Sequence, residues 1–204
     1  MRPEGRGASF EPAALRRWIP VGVVAAILAA VAAMVIGQQL FSSAPPARPA
    51  KPAPAFVRFR DPAGGLSIER PAAWMRVASP NPEVRLLAEG DGASMLVRMT
   101  DLGFDGPANL DAARRLTDKL VRTAEQAKLL RPPKRVNLGG LQGYLYLYTF
   151  RDAGSGERGA HAHYFLFRGH TLITIVFQTA SAQTLTQLAP LFDRLGETLR
   201  TTRG

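Results

Sequence analysis

Apolar and polar positions alternate in four different ways along this chain. From Ile19 to Ile36 the run IPVGVVAAILAAVAAMVI extends for 18 residues with no charge and no polar face. As a helix it would rise roughly 27 Å, and Gly37 to Phe41 complete the crossing of a hydrocarbon core of about 30 Å. A cleavable signal has a shorter apolar core, about 7–15 residues, and a small-residue cleavage site. Here prolines crowd the positions after Ser43. The pattern predicts a retained transmembrane helix over 19–41, with Trp18 at the interface and Pro20 in the first turn, where a missing N–H costs nothing. A short basic tail, 1–18, precedes it. Residues 42–55, SSAPPARPAKPAPA, follow it. Such a stretch favours extended polyproline geometry at about 3.1 Å per residue, a semi-rigid stalk of roughly 40 Å.

From Phe56 to Gly204 the alternation is that of a folded domain. Val57 and Phe59 alternate with Arg58 and Arg60, and Leu66 and Ile68 with Ser67 and Glu69, around the turn residues Asp61 to Gly65. These read as a hairpin. Two further strands, 84–88 and 93–100, flank Gly90-Asp91-Gly92. Leu110, Ala113, Leu116, Leu120, Ala124 and Ala127 then recur at helical spacing, with Asn109 or Asp105 as the cap and Pro132-Pro133 as the stop. Asp111 with Arg115, and Asp118 with Arg122, stand four apart with the acid first, the order that supports a helix.

Three strands follow, 143–151, 160–168 and 171–179. The link Gly169-His170 fits a two-residue type II′ turn. That turn sets Arg168 opposite Thr171, Tyr164 opposite Ile175 and His161 opposite Gln178. Both faces of this hairpin are largely apolar, so both must be covered. Leu185, Leu188, Phe192, Leu195 and Leu199 form a closing helical stripe, which Pro190 is expected to divide into a short first turn and a new helix. Two helical elements and about seven strands predict an α+β domain over 56–204, with a mainly antiparallel sheet between helices.

The segment from Asp61 to Trp74, DPAGGLSIERPAAW, resembles the start of PsbP-like domains: a hairpin of Gly, an aromatic or apolar residue, Ser and an apolar residue, with Pro and Trp a few residues on. Leu66 stands where that family commonly has an aromatic. The closing hairpin and the Leu185–Leu199 helix are similar to the family's end. The resemblance covers Phe56 to about Arg200. It implies an α/β/α sandwich serving as a binding or assembly module, with no shared catalytic constellation and no cofactor.

Composition narrows the chemistry. The 204 residues contain no cysteine, which excludes disulfides, thiolate metal sites, a cysteine nucleophile and lipobox lipidation. Six of the 26 basic and two of the 16 acidic residues precede Phe56, which leaves the domain 20 basic and 14 acidic. Arg114, Arg115, Lys119 and Arg122 on the first helix, with Lys128, Arg131, Lys134 and Arg135 after it, form a basic belt. Arg114, Arg115, Lys119 and Arg122 are the candidate anionic-surface residues. Tyr144, Tyr146 and Tyr148 share one face of a strand, with Phe150 continuing the row and Tyr164 as a further candidate member. The row suits either ring stacking or packing under a helix. His161 and His163 share a strand face, but a metal needs a third ligand, for which only Asp152 and Glu157 lie near in sequence. Gly154-Ser155-Gly156 lacks the Gly-x-Ser-x-Gly elbow of a serine nucleophile. Gly139-Gly140 and Gly143 read as a bulge or turn and not as a phosphate loop.

Flanking charge sets the orientation. Arg2, Arg6, Arg16 and Arg17 precede the apolar run, and only Arg48 and Lys51 lie close behind it. The N-terminus is therefore expected inside and the domain outside. Gly22, Ala26 and Ala30, with Ala25, Ala29 and Ala33, offer small-residue spacing for oligomerisation through the membrane helix. The sequence thus points to a single-pass, non-catalytic binding or assembly module of the cell envelope. Its expected partners are the membrane and anionic envelope polymers, lipids or membrane proteins, and not nucleic acid. The alternatives are an envelope hydrolase or metal-dependent enzyme built on His161 and His163, and a cytoplasmic-facing regulator of inverted topology.

Overall fold

The computed structural model describes residues 55–123, 126–151, 156 and 158–202. The expected tail, membrane helix and nearly all of the stalk lie outside the described residues. In chain order the elements are β1 (Phe56–Asp61), β2 (Leu66–Pro71), β3 (Met75–Arg76), β4 (Val84–Gly90), β5 (Ala93–Asp101), α1 (Leu110–Thr123), β6 (Lys128–Leu129), β7 (Lys134–Leu138), β8 (Leu141–Arg151), β9 (Arg158–Arg168), β10 (Thr171–Thr179), α2 (Ala182–Glu197) and β11 (Arg200–Thr201). The seven strands expected from alternation are present. Short β3, β6, β7 and β11 lack a readable period and join them.

Every described strand pairing is antiparallel. Eight strands form one sheet, with the path β3-β4-β5-β10-β9-β8-β6 and β7 also on β8, and a three-stranded sheet runs β1-β2-β11. The Gly169-His170 turn gives the expected register, including Tyr164 opposite Ile175 and His161 opposite Gln178, and Gly169 has φ +52° as that turn requires. Gly143 is neither turn nor bulge but lies inside β8. A Cβ there would fall 1.9 Å from the Phe165 carbonyl oxygen, so only glycine lets β8 and β9 pair at this point.

The two faces of the large sheet are covered by different elements. One face packs Met95, Val97, Tyr164, Leu166, Ile173, Ile175 and Phe177 against Leu185, Phe192 and Leu195 of α2 and Leu66 and Ile68 of β2. Trp74, which ends the segment resembling PsbP-like domains, is buried in this core at 1% exposure. The other face packs Tyr144, Tyr146, Tyr148 and Phe165 against Ala113 and Val121 of α1. Helices on both sides of an antiparallel sheet confirm the α+β class and the layered arrangement.

Both helices differ from their expected form. α1 buries Ala113, Thr117 and Val121, while Leu116 and Leu120 lie at the margin. The helix is turned by about one residue because Thr117, Arg114 and Asp118 engage the tyrosine row. Asn109 caps it, accepting the Ala112 N–H through Oδ1 at 2.9 Å. Among the described residues Asp118 pairs with Arg114 at 2.9 Å and lies 4.0 Å from Arg122, and no Asp111–Arg115 pair forms. α2 runs unbroken through Pro190, contrary to the expected break. Pro190 is on the exposed side, and Leu185 before it and Phe192 and Leu195 after it are anchored in one core, which holds both halves in line. Ser181 caps α2, its side chain accepting the Thr184 N–H at 3.1 Å.

Phe192 is 1% exposed and stacks on Phe177, with ring centroids 4.6 Å apart and planes 9° from parallel. Phe192→Ala is expected to cost about 3–5 kcal/mol, seen as a lower urea midpoint for the full chain at unchanged slope. A loss below about 1 kcal/mol would mean that α2 is not packed as described.

Candidate functional site

The face under α1 gathers most of the residues singled out in the sequence. Register brings Tyr144 beside Phe165, Tyr146 beside His163 and Tyr148 beside His161. It also excludes Tyr164 from the row: Tyr164 is opposite Leu145, on the α2 face, and its hydroxyl donates to Asp193 Oδ1 at 3.2 Å.

Each phenol of the row is tied to a different partner. The Tyr144 hydroxyl donates to the Leu110 carbonyl at 3.1 Å. The Tyr146 hydroxyl donates to Asp118 Oδ1 at 2.7 Å and lies 2.7 Å from the Thr117 hydroxyl. Arg114 closes this cluster, its Nε donating to Asp118 Oδ1 at 2.9 Å and its guanidinium standing 5.5 and 5.8 Å from the Tyr144 and Tyr146 ring centroids. Burial alone raises the Asp118 carboxyl. The hydrogen bonds from Tyr146 and Arg114, with the charges of Arg114 and Arg122, outweigh it and hold the pKa below the usual range. Burial raises the Tyr146 phenol, and the Asp118 charge adds to that, so it stays protonated.

Tyr148 bridges the two histidines. Its hydroxyl oxygen is 3.0 Å from His163 Nδ1 and 3.1 Å from His161 Nδ1, and His161 Nε2 is 2.9 Å from Gln178 Oε1. One phenol proton serves only one of the two nitrogens. With Gln178 Oε1 accepting, His161 carries its proton on Nε2 and accepts the Tyr148 proton on Nδ1. His163 then donates from Nδ1 to the Tyr148 oxygen. This assignment leaves the enclosed, unpartnered His163 Nε2 as a bare lone pair and not as a stranded N–H. Phe150 lies against His161 at 4.3 Å and Phe165 stacks on His163 at 3.9 Å between ring centroids. Burial pushes His161 down to about 4. His163 lies well below its usual value through burial, then the nearby His161 and Arg98. Both rings are therefore neutral at neutral pH.

The arrangement joins residues that periodicity alone had not connected. The sequence placed the two histidines on one face with His161 opposite Gln178, but the Tyr148 bridge and the Tyr146–Asp118–Arg114 cluster depend on the β8–β9 and α1–β8 contacts. Asp152, Ser155 and Glu157 lie outside the described residues. Among the described residues no group of three histidines or carboxylates converges as metal ligands.

The basic belt divides. Arg114 turns toward the sheet and is engaged as above. Arg115, Lys119 and Arg122 lie on the exposed side of α1, and Arg122 is 81% exposed. Lys128, Arg131, Lys134 and Arg135 are exposed along the outer edge of β8. An open hollow of about 430 Å³ at the ends of β8 and β9 is lined by Lys128, Phe150, Arg151, Arg158 and Ser181, with no histidine or carboxylate among its described lining.

No protein-family profile matches the sequence, and no curated protein matches it. Solved structures do. Cyanobacterial PsbP from Synechocystis aligns with a TM-score of 0.52 at 15% identity, over 77% of this chain and 98% of that one. The Ran-binding protein Mog1p of Saccharomyces cerevisiae aligns at 0.51 with 9% identity, over 73% and 96%. LpqN of Mycobacterium tuberculosis, involved in cell envelope biogenesis, aligns at 0.49 with 10% identity, over 72% and 92%.

Two predictions follow from the clamped face. Tyr146→Phe removes a hydrogen bond to a charged acceptor and should cost about 1.5–3 kcal/mol. Hydrogen exchange should locate the loss in α1, and uniform weakening of α2 as well would contradict the assignment. The histidines set a pH dependence. An unfolded histidine titrates near 6.5, whereas His161 titrates near 4 in the fold. Between those values the unfolded chain binds a proton that the folded chain refuses. Stability should fall as pH drops through that window, by roughly 1.4 kcal/mol per pH unit per histidine. Urea unfolding of the full chain between pH 7 and 4 reads the slope, which His161→Gln should roughly halve; an unchanged slope would remove His161 as its source. The domain formed by the described residues has a PsbP-like fold.

Proposed function

We propose that this chain is a single-pass, membrane-anchored protein whose extracytoplasmic PsbP-like domain is a non-catalytic binding or assembly module of the cell envelope. The observation that carries the non-catalytic reading is the mutual bonding of the polar side chains under α1, with His163 Nε2 the one enclosed polar atom there, among the described residues, left without a partner. The phenols, histidines, Asp118 and Arg114 that bear chemistry are bonded to one another and to the backbone. A general acid or base needs a pKa near the working pH and reach to a substrate proton. These histidines are held neutral, and the buried Tyr146 and Tyr148 phenols protonated. Mog1p, on a related fold, is described as a Ran-binding protein, which supports a role in binding for this architecture.

The anchor rests on the 18-residue uncharged run, the basic residues before it and the proline-rich stalk after it. Among the described residues no helix is long and apolar enough to cross a membrane; the predicted span lies outside them. With the stalk extended, the domain would stand off the bilayer, where its surface and not an enclosed cleft meets partners.

The absence of cysteine makes the test direct. Gln187→Cys places one thiol on the exposed side of α2. Intact cells are treated with a membrane-impermeant maleimide and fractionated. Labelled protein in the membrane fraction is the expected result. Labelled protein in the medium would replace the anchor with a cleaved signal. Membrane protein labelled only after lysis would turn the domain to the cytoplasm and overturn the envelope role.

A further inference from the structure

We infer that the sheet-edge segment from Lys128 to Arg135 is a membrane-apposing surface, which lays Leu129 and Leu130 into the headgroup region of an anionic lipid bilayer while its four cations meet the lipid phosphates. The inference rests on the tethered reading above and assigns that domain a partner.

The segment reads KLLRPPKR: four cations, two leucines and no acid. From Gln126 to Arg151 the chain holds five basic residues and no carboxylate. All of Lys128–Arg135 is exposed except half-buried Pro133, and Leu129 and Leu130 are each 44% exposed. Among the described residues no carboxylate lies within ion-pair distance of Lys128, Arg131, Lys134 or Arg135.

The backbone of this segment is held while its side chains are left out. Leu129 pairs with Tyr148, and the Leu130 N–H donates to the Leu147 carbonyl at 2.9 Å. Leu129 ends β6 and Leu130 stands at the bend that follows it, and neither side chain is drawn into the core. Pro132-Pro133 fix the turn into β7, where Lys134 and Arg135 continue the edge.

The leucines decide the class of partner. A soluble polyanion would recruit the cations and gain nothing from exposed leucines. A segment lying in a membrane interface uses both, through apolar area buried at the acyl boundary and attraction to anionic headgroups. Position agrees with this. Phe56, where the stalk ends, lies under the Arg194 guanidinium at 3.7 Å. Asp193, the neighbouring residue, accepts from Tyr164, and Arg131 lies close enough to act electrostatically on that same phenol. The end of the stalk and the basic edge thus both lie toward the Asp193–Arg194 turn of α2. Asp193 and Glu197 are the acids on this side, and both bear on Tyr164 from α2.

The test uses the full chain with Leu129→Cys carrying an environment-sensitive fluorophore, and Gln187→Cys labelled likewise as the control. Each is reconstituted in phosphatidylcholine vesicles with and without phosphatidylglycerol. A blue shift and intensity rise at position 129 that require phosphatidylglycerol, disappear in molar salt and are absent at position 187 are expected. Charge reversal by Lys128→Glu, Arg131→Glu, Lys134→Glu and Arg135→Glu should abolish the shift while near-ultraviolet circular dichroism is retained. Equal emission at position 129 in both vesicles overturns the inference, as does a response to soluble heparin with none to vesicles. Flotation with neutral phosphatidylcholine vesicles reads the anchor separately. Flotation without the shift removes the basic edge and keeps the tether. No flotation on neutral vesicles, with the shift on anionic ones, keeps the edge and removes the tether.

Discussion

Strands β8, β9 and β10 carry apolar side chains on both of their faces, and a sheet of that kind has no side to offer water. The rest of the domain answers this constraint. On one face α2 and the small β1-β2-β11 sheet close over Tyr164, Ile175 and Phe177; on the other α1 closes over Tyr144, Tyr146 and Phe165. The order of elements along the chain follows: an early hairpin and a late helix for one layer, and a central helix for the other.

Aromatic residues satisfy the volume demand of the α1 face but bring polar atoms with them. A buried hydroxyl or ring N–H without a partner costs free energy, so each hydroxyl is bonded where it lies and the one unpartnered ring nitrogen of this face, His163 Nε2, is left without a proton. Asp118, Thr117 and the Leu110 carbonyl serve Tyr146 and Tyr144 from the helix; His161, His163 and Gln178 serve Tyr148 within the sheet. The same bonds give α1 one rotation about its axis, with Thr117 and not Leu116 at the centre of contact. Residues that in isolation suggest acid–base or metal chemistry therefore hold layers together.

The outer edge of β8 faces a different problem. An open strand edge invites pairing with another chain. Here it is covered by two short strands, β6 and β7, separated by Pro132-Pro133 and lined with Lys and Arg. Prolines deny backbone donors and cations repel a second copy, which protects the edge. The same devices concentrate positive charge and two leucines on one exposed line.

The sequence by itself determined what depends on local periodicity. Alternation located the seven longer strands, helical spacing located α1 and α2, and Gly169-His170 set the β9–β10 register, because a two-residue turn leaves no freedom of slip. The 18-residue apolar run and the proline-rich stretch were likewise legible as composition. Tertiary structure decided what depends on pairing across long separations. The register of β8 against β9 put Tyr148 between the two histidines and sent Tyr164 to the opposite layer, and no short turn in the sequence announces that register. Packing on one core carried α2 through Pro190, although the local rule for proline predicts a break. Contact with the tyrosine row drew Arg114 out of the basic belt, which charge counting along α1 had treated as uniform. In each case a side chain's neighbours, and not its own neighbourhood in sequence, fixed its role.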